Sequence, residues 1–467
     1  MQQGPSQLIA AVRQALGAAA VVTDPAAVEP WLTDWRGRFH GRSAAILAPA
    51  STAEVTAMVM LAAQHGVALV PQGGNTSMVG GATPPDDGKA VILSLRRINR
   101  LRSISAEANL AVAEAGMILA DLHTSAAEVG RRFPLTLGSR GSCTIGGLIA
   151  TNAGGTQVLR FGTMRALVAG VEAVLPDGSI HNGLTALKKD NRGYSLDQLL
   201  IGSEGTLGII TAAALKLVPA VAARAVAWVG VASPQAALDL LRRAQGESDL
   251  VEGFEIVPDG SLQLVLDHIP GTRSPLAGRH PWHVLVEAAA ANVADAPGAV
   301  LERILGDALD AGQIEDAAIA SSVAQAEAMW RVRDSISEAE RATGGSLAHD
   351  ISVPVDAMPQ FMVAAAAEVE RAFPGVEATA FGHLGDGNVH FHVRIGQHPA
   401  RDGPAITRMV HDLVTAAGGS ISAEHGIGQA KLAEFERLAP PGRIAALHAI
   451  KHALDPMGMM NPGKLVR

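Results

Sequence analysis

Between residues 224 and 320 the apolar positions switch repeatedly between two spacings. AVAWVGVA (225–232) is a short, nearly unbroken apolar run of strand length, and PQAALDLLRRAQ (234–245) then repeats its leucines and alanines with helical spacing. Ser233 and Pro234 stand where a helix N-cap and first helical residue belong. WHVLVEAAA (282–290) resumes as a strand and APGAVLERILGDALDAG (296–312) as a helix. Strands alternating with helices at this interval predict an α+β or α/β cap built on one sheet. Further on, MWRVRDSISEAERA (329–342) reads as one helix, HDISVP (349–354) as a strand and GHLGDGNVHFH (382–392) as a tight hairpin; GRIAALHAIKHAL (442–454) closes the pattern as a helix.

Before residue 220 the texture differs. Glycine clusters at 73–81, 138–155 and 202–208 interrupt the apolar runs, and the change falls at Val218–Pro219. The division expected is a first domain over 1–219, a cap over 220–420 carrying the histidine hairpin, and a C-terminal segment over 421–467 that folds back onto the first domain.

With 467 residues and 48% hydrophobic content, the chain can bury a sizeable core. No apolar run reaches the roughly 18 residues a membrane span requires, and the opening MQQGPSQLIAAVRQALG breaks at Arg13 without a basic lead. A cytoplasmic protein with no membrane span is the expectation. The single cysteine, Cys143, excludes an internal disulfide and reads as a small buried thiol. A net charge of -8 and an aromatic content of 3% exclude an extended nucleic-acid surface, which needs basic stripes and stacking rings. Function must therefore come from local constellations.

The first constellation is a set of glycine loops. VALVPQGGNTSMVGGATPP (67–85) leads from a strand into glycines and small polar residues, whose backbone N–H groups can converge on an anion. The spacing is not that of a G-x-G-x-x-G dinucleotide loop, and Pro84–Pro85 with Asp86–Asp87–Gly88 leaves no room for the helix such a loop requires. Any phosphate here is held by loop amides. LGSRGSCTIGGLIATNAGG (137–155) and IGSEGTLGIIT (201–211) repeat the character, so a long phosphate-bearing cofactor threaded between three loops is expected.

The second constellation is the histidine segment. If Asp386–Gly387 is a two-residue turn, or 385–388 a four-residue loop, His383 pairs directly with His390 across the hairpin. Their imidazoles then lie close enough to share a metal, and His392 follows on the same face. Two imidazoles joined by one carboxylate, with a position left open, is a common catalytic zinc set, and Glu424 in SAEHGIG is the candidate carboxylate.

PQGGNTSMVGG, GSCTIGG, ATNAGG and IGSEGTLGIIT, in this order, resemble the flavin-binding signatures of the vanillyl-alcohol oxidase (PCMH-type) FAD fold, in its D-2-hydroxyglutarate and D-lactate dehydrogenase branch. GHLGDGNVH and AEHG resemble that branch's metal motifs, and the likeness covers nearly the whole chain from about residue 40. The resemblance implies an α+β architecture: a PCMH-type FAD-binding domain, an α+β (ferredoxin-like) substrate cap and a C-terminal helical segment. It implies Gly73, Gly74, Asn75, Thr76 and Ser77, following Pro71, at the pyrophosphate. Ser142, Gly146, Gly147, Thr151 and Asn152 would lie along the rest of FAD, Gly208 and Ile210 near adenine and ribose, and Asn461 near the flavin ring. It implies His383, His390 and Glu424 as ligands of a divalent metal, zinc being the expected ion, and His425 as the base.

The implied reaction is oxidation of a D-2-hydroxy acid to the 2-oxo acid, D-2-hydroxyglutarate being favoured, with D-lactate and D-malate also in the class. The α-hydrogen leaves as hydride to flavin N5 while His425 takes the hydroxyl proton, and the cation lowers the hydroxyl pKa and orients the acid. Arg331 and Ser335 stand four residues apart on one helical face, where they can grip substrate oxygens, and Arg333 is expected to point elsewhere. Two departures bear on the substrate's far end. Dicarboxylate-oxidising members usually carry a lysine where this chain has Ala348, and an asparagine where it has His392; His392 is the substitute contact. Electron-transfer flavoprotein and the quinone pool both stand as acceptors, and a homodimer is admitted. Two rival readings are a redox-neutral transferase resembling the alkylglycerone-phosphate synthases, which lean on a catalytic tyrosine, and a non-catalytic zinc- or flavin-binding protein.

Overall fold

The apolar runs flanking the first glycine loop form neighbouring parallel strands: Leu69–Gln72 pairs with Val91–Ser94, and Ile46–Leu47 lies on the other side of the latter. A computed structural model describes residues 3–185, 187–396 and 402–466. In it the helix Thr52–His65 connects Ile46–Leu47 to Leu69–Gln72, starting where the Ser51 hydroxyl accepts from the Glu54 amide and ending at Gly66, whose φ of 62° suits a residue without Cβ. Val55, Met58, Val59 and Ala62 form its buried stripe. A second, antiparallel sheet runs in the order Leu101–Ser105, Leu110–Glu114, Ile209–Lys216, Val168–Val174, Ile180–Asn182. The chain's last residues join this unit. The Leu69 amide donates to Met459, and the Asn461 amide donates back to Leu69, so the MNPGKLV segment lies along the strand that leads into the first glycine loop.

Contact between residues divides the chain into two units. One comprises the described residues through Gly155, Gly162–Ala220 and the residues from Glu424 onward; the other comprises Thr156–Phe161 and Val221–Ala423.

The second unit is built on a seven-stranded sheet ordered Asp316–Ile319, Ala223–Val231, Trp282–Ala290, Val251–Pro258, Glu377–His383, Asn388–Arg394, Leu347–Ser352, every neighbouring pair being antiparallel. Strands and helices alternate as the spacing predicts: the Ser233 hydroxyl accepts from the Ala236 amide and Pro234 opens the helix Pro234–Glu247. One sheet face, with Val389, Phe391 and Val393, packs under the helices Pro234–Glu247, Pro297–Asp310, Met358–Ala372 and Gly403–Ala416. The opposite face, with Val226, Trp228, Leu285 and Phe381, is covered by the helices Asp259–His268, Val323–Asp334 and Ile336–Ala342. The last two were expected as one helix; they are separated at Ser335 alone, whose amide still donates to the Arg331 carbonyl (3.1 Å) and whose carbonyl accepts from the Ala339 amide (2.9 Å).

Candidate active site

Strand alternation sends Phe381, His383, His390 and His392 to the face beneath the helix pair, because Val389, Phe391 and Val393 occupy the other. The register differs from the expected one. His383 pairs with Asn388 and Phe381 with His390, so the connection is the four residues Leu384–Gly387. The turn is fixed by the Asn388 amide donating to Asp386 Oδ1 (3.0 Å), while the Leu384 amide donates to Phe254 on the neighbouring strand. The slip is two residues, an even number, so both histidines keep the same face as diagonal neighbours. Their ring centroids are 5.3 Å apart, and His392 lies 6.4 Å beyond His390.

Glu255, on the adjacent strand directly opposite His383, orders one end of this face. Its carboxylate is 2.5 Å from His383 Nδ1 and accepts from Arg333 Nε at 2.9 Å. Burial opposes the charge on Glu255, but Arg333 and His383 outweigh burial and hold its carboxyl at about 2. His383, pushed down by burial, is raised by the same carboxylate to about 9. Burial, followed by repulsion from His383 and Arg333, drives His390 well below the ordinary imidazole range. With Nδ1 of His383 engaged by Glu255, Nε2 is the nitrogen presented for coordination, an arrangement common behind metal-bound histidine.

The two arginines are placed otherwise than expected. Met329, Val332 and Ile336 form the buried stripe, which places Arg333, four residues after Met329, on the flank toward Glu255; its guanidinium lies 5.8 Å from the Phe381 ring. Arg331 falls on the other flank, is exposed and donates to the Pro270 carbonyl at 3.0 Å. Ser335 is buried at the break between the helices. His392 Nδ1 is 2.5 Å from Glu340 Oε2, on the helix that follows. Asp350, opposite His390, accepts from Asn388 Nδ2 at 2.9 Å. Glu255, Arg333 and Glu340 are absent from the sequence-based candidates. Glu255 carries a sequence signal as a charged residue in the largely apolar VEGFEIVP, whereas Arg333 and Glu340 lie among other charges in their helices and carry none.

Beyond Ser352 the sheet edge continues through Ser420, and the Ala423 amide donates to the Asp350 carbonyl. Glu424 is the next residue. Within the first unit, Glu424 Oε1 and His425 Nε2 are 3.7 Å apart, and the following amides of Ile427 and Gly428 both donate to Glu204, at 2.7 Å each.

In the first unit the glycine loops press on each other. A Cβ on Gly73 would lie 2.1 Å from Thr144 Oγ1, and one on Gly74 1.9 Å from the Ser142 carbonyl oxygen. Asn75, Asn152 and Asn461 all have positive φ, and their side chains tie the loops: Asn75 donates to the Thr33 carbonyl, Asn152 accepts from the Arg165 amide, Asn461 donates to Gly81 and Glu204 carbonyls. Ser77 Oγ accepts from Gly81, Thr151 Oγ1 donates to Gly147, and Ser142 is exposed. Gly208 packs against the Val174 carbonyl, and Ile210 is buried in its strand. Among the described residues, five buried oxygens of these segments have no hydrogen-bond partner: Gln72 Oε1, Thr83 Oγ1, Thr144 Oγ1, Ser203 Oγ and Asn461 Oδ1. Such atoms are costly when left unpaired, so their placement fits a polar group lying against these loops.

Family models match both parts of the chain. The FAD binding domain matches residues 43–183, and the C-terminal domain of FAD linked oxidases matches 221–465. The chain belongs to the FAD-linked oxidase family. Three relatives of this FAD-linked oxidase are a mitochondrial D-2-hydroxyglutarate dehydrogenase of Arabidopsis thaliana (34% identical, covering 97% of this chain and 80% of the relative), a D-2-hydroxyglutarate dehydrogenase of Xanthomonas citri pv. viticola (36%, 98% and 96%) and a D-2-hydroxyglutarate–pyruvate transhydrogenase of Saccharomyces cerevisiae (32%, 93% and 88%). Solved structures of an alkyldihydroxyacetonephosphate synthase (TM-score 0.74, 17% identical, 99% of this chain, 86% of that one) and of p-cresol methylhydroxylase (0.74, 15%, 99% and 97%) share its fold. The α+β, PCMH-type architecture is thereby established, and this FAD-linked oxidase is a flavin-dependent oxidoreductase. None of its described helices is long and apolar enough to cross a membrane.

Proposed function

We propose that this flavoenzyme oxidises a D-2-hydroxy acid to the 2-oxo acid with the help of a divalent cation. The observation that carries the reading is the placement of His383 and His390 on one sheet face, 5.3 Å apart, with Glu255 behind the first and Arg333 beside it. Bound FAD supplies a two-electron acceptor for the α-hydrogen, and a cation at the histidines supplies a Lewis acid for the hydroxyl and carboxylate oxygens. His383 and His390 present imidazole nitrogens to that cation, and Glu424 is the third ligand. Two nitrogens and one carboxylate make zinc the expected ion.

His425 receives the hydroxyl proton, a task for which an imidazole is suited near neutral pH. Arg333, planar and permanently charged, grips the substrate carboxylate, a role first expected of Arg331. Pro71, Gly73–Ser77, Ser142, Gly146, Gly147, Thr151, Asn152, Gly208, Ile210 and Asn461 line the cofactor. The relatives named D-2-hydroxyglutarate dehydrogenase support this substrate class. The single buried thiol keeps a cytoplasmic location in the reading. A transferase on the same fold finds less support, since the sole tyrosine, Tyr194, is 97% exposed.

The test is anaerobic mixing of the purified holoenzyme with D-2-hydroxyglutarate, D-lactate and D-malate. Bleaching of the flavin by at least one acid, and loss of that bleaching after chelation, are expected. A flavin that none of them reduces removes the reading, and bleaching untouched by chelation removes the metal from it.

A further inference from the structure

The face that carries His383 and His390 is electrically lopsided. At its His383 end stands a guanidinium, Arg333, tied to Glu255. At its other end stands a carboxylate, Glu340, 5% exposed, 2.5 Å from His392 Nδ1 and accepting also from Ser346 Oγ at 3.3 Å. The cross-strand partners of His392 are Ala348 and Thr379, which offer a methyl group and a hydroxyl and no charge. Between the ends, Asp350 faces His390 across the strands. In either protonation state of its imidazole, the His392–Glu340 pair has no net positive charge.

A hydroxy acid held by its carboxylate and hydroxyl at His383, His390 and Arg333 has one polar end accounted for. Along this sheet face, its substituent runs over His390 toward His392, Phe381 and Ala348, with the His392 ring 5.0 Å from that of Phe381. A second carboxylate arriving there would be removed from water beside Glu340 and Asp350, and the guanidinium that lies beyond His392 on the same strand, Arg394, is already paired with Glu377. An apolar or hydroxyl-bearing substituent meets an aromatic edge, a methyl group and an imidazole nitrogen, all of which it can satisfy.

Resting on the proposed D-2-hydroxy acid oxidation, we infer that the substrate is a monocarboxylate whose substituent is uncharged, with His392, Glu340 and Ala348 setting that preference. Specificity of this kind comes from what the site refuses. The test compares chain-matched acids on the holoenzyme by anaerobic stopped-flow reduction of the flavin: D-2-hydroxypentanoate against D-2-hydroxyglutarate, and D-2-hydroxybutyrate against D-malate.

The expected result is a second-order reduction constant at least about tenfold higher for each monocarboxylate, with the ratio falling by about tenfold in Ala348→Lys and in Glu340→Gln. Glu340→Gln keeps a hydrogen-bond acceptor for His392, so it removes the charge while retaining the contact. Equal or faster reduction by the dicarboxylates in the unmodified enzyme would overturn the inference while leaving the hydroxy acid reading intact. Ratios unchanged in both variants, with flavin content retained, would overturn the assignment to these residues. Absence of reduction by all four acids would remove the underlying reading and the inference with it.

Discussion

Glu255 and His383 sit directly opposite each other on antiparallel strands, 128 residues apart in sequence, with a carboxylate oxygen 2.5 Å from Nδ1. The same carboxylate binds Arg333, so one buried group sets both the imidazole assigned to the cation and the guanidinium assigned to the substrate. Glu255→Gln preserves shape and removes the charge. Metal affinity, measured by competition with a chromophoric chelator, is expected to fall roughly 10- to 100-fold, as for other carboxylates behind a ligating histidine. Flavin absorbance should remain. An unchanged metal Kd would show that Glu255 does not orient His383 for coordination.

The same pair makes stability pH-dependent in the metal-free protein. His383 is raised from an ordinary ~6.5 to about 9, so its contribution is complete below ~6.5 and is lost as pH rises through 9. Glu255 is depressed to about 2, so its contribution is present above ~4.5 and is lost as pH falls through 2. Denaturant unfolding of the chelated protein should therefore show stability declining between pH 6.5 and 9, by on the order of 3 kcal/mol at most. Added zinc should flatten this limb, because the ion replaces the proton on the imidazole. A chelated protein equally stable at pH 6.5 and 9 would contradict the coupling.

Gly74 tests the flavin cradle. A Cβ there meets the Ser142 carbonyl oxygen at 1.9 Å and the Cys143 Cα at 3.3 Å, so the obstruction is backbone and no rotamer relieves it. Gly74→Ala must push apart the two loops proposed to hold the cofactor, and overpacking of this kind typically costs about 1–3 kcal/mol. The ratio of flavin to protein absorbance should fall severalfold. Gly138→Ala, with nothing within 4 Å of the new methyl, serves as the control and should keep its flavin. Equal flavin content in the two variants would detach the Gly73–Ser77 loop from FAD.

Much of this was legible in the sequence for reasons that are local. The glycine loops declare themselves because close backbone approach excludes Cβ, as at Gly73 and Gly74, and that demand is written at the position itself. The shared face of His383 and His390 survived a wrong register because a strand repeats every two residues and the slip was even. A helix is less forgiving. Moving from Arg331 to Arg333 rotates the side chain by about 200°, so a small error in the buried phase exchanges solvent for site. Glu255 and Glu340 were not legible because their partners, 128 and 52 residues away, depend on which strand and helix become neighbours. Neighbour order in an antiparallel sheet is a product of the whole chain, not of a segment.

That phase difference yields the last prediction. Arg333 is tied to buried Glu255 at the His383 end of the face, whereas Arg331 is exposed and donates to the Pro270 carbonyl. Lysine in place of Arg333 keeps a charge and loses the planar fork, so it cannot hold Glu255 and a substrate carboxylate with the same geometry. Arg333→Lys should lower the second-order constant for flavin reduction by about two orders of magnitude. Arg331→Lys should change it by less than about threefold, as for other exposed pairs. The two variants are read side by side in anaerobic stopped flow, with flavin content and thermal unfolding as checks on integrity. A large loss in Arg331→Lys with little in Arg333→Lys would restore the expectation drawn from sequence and overturn the assignment drawn from geometry.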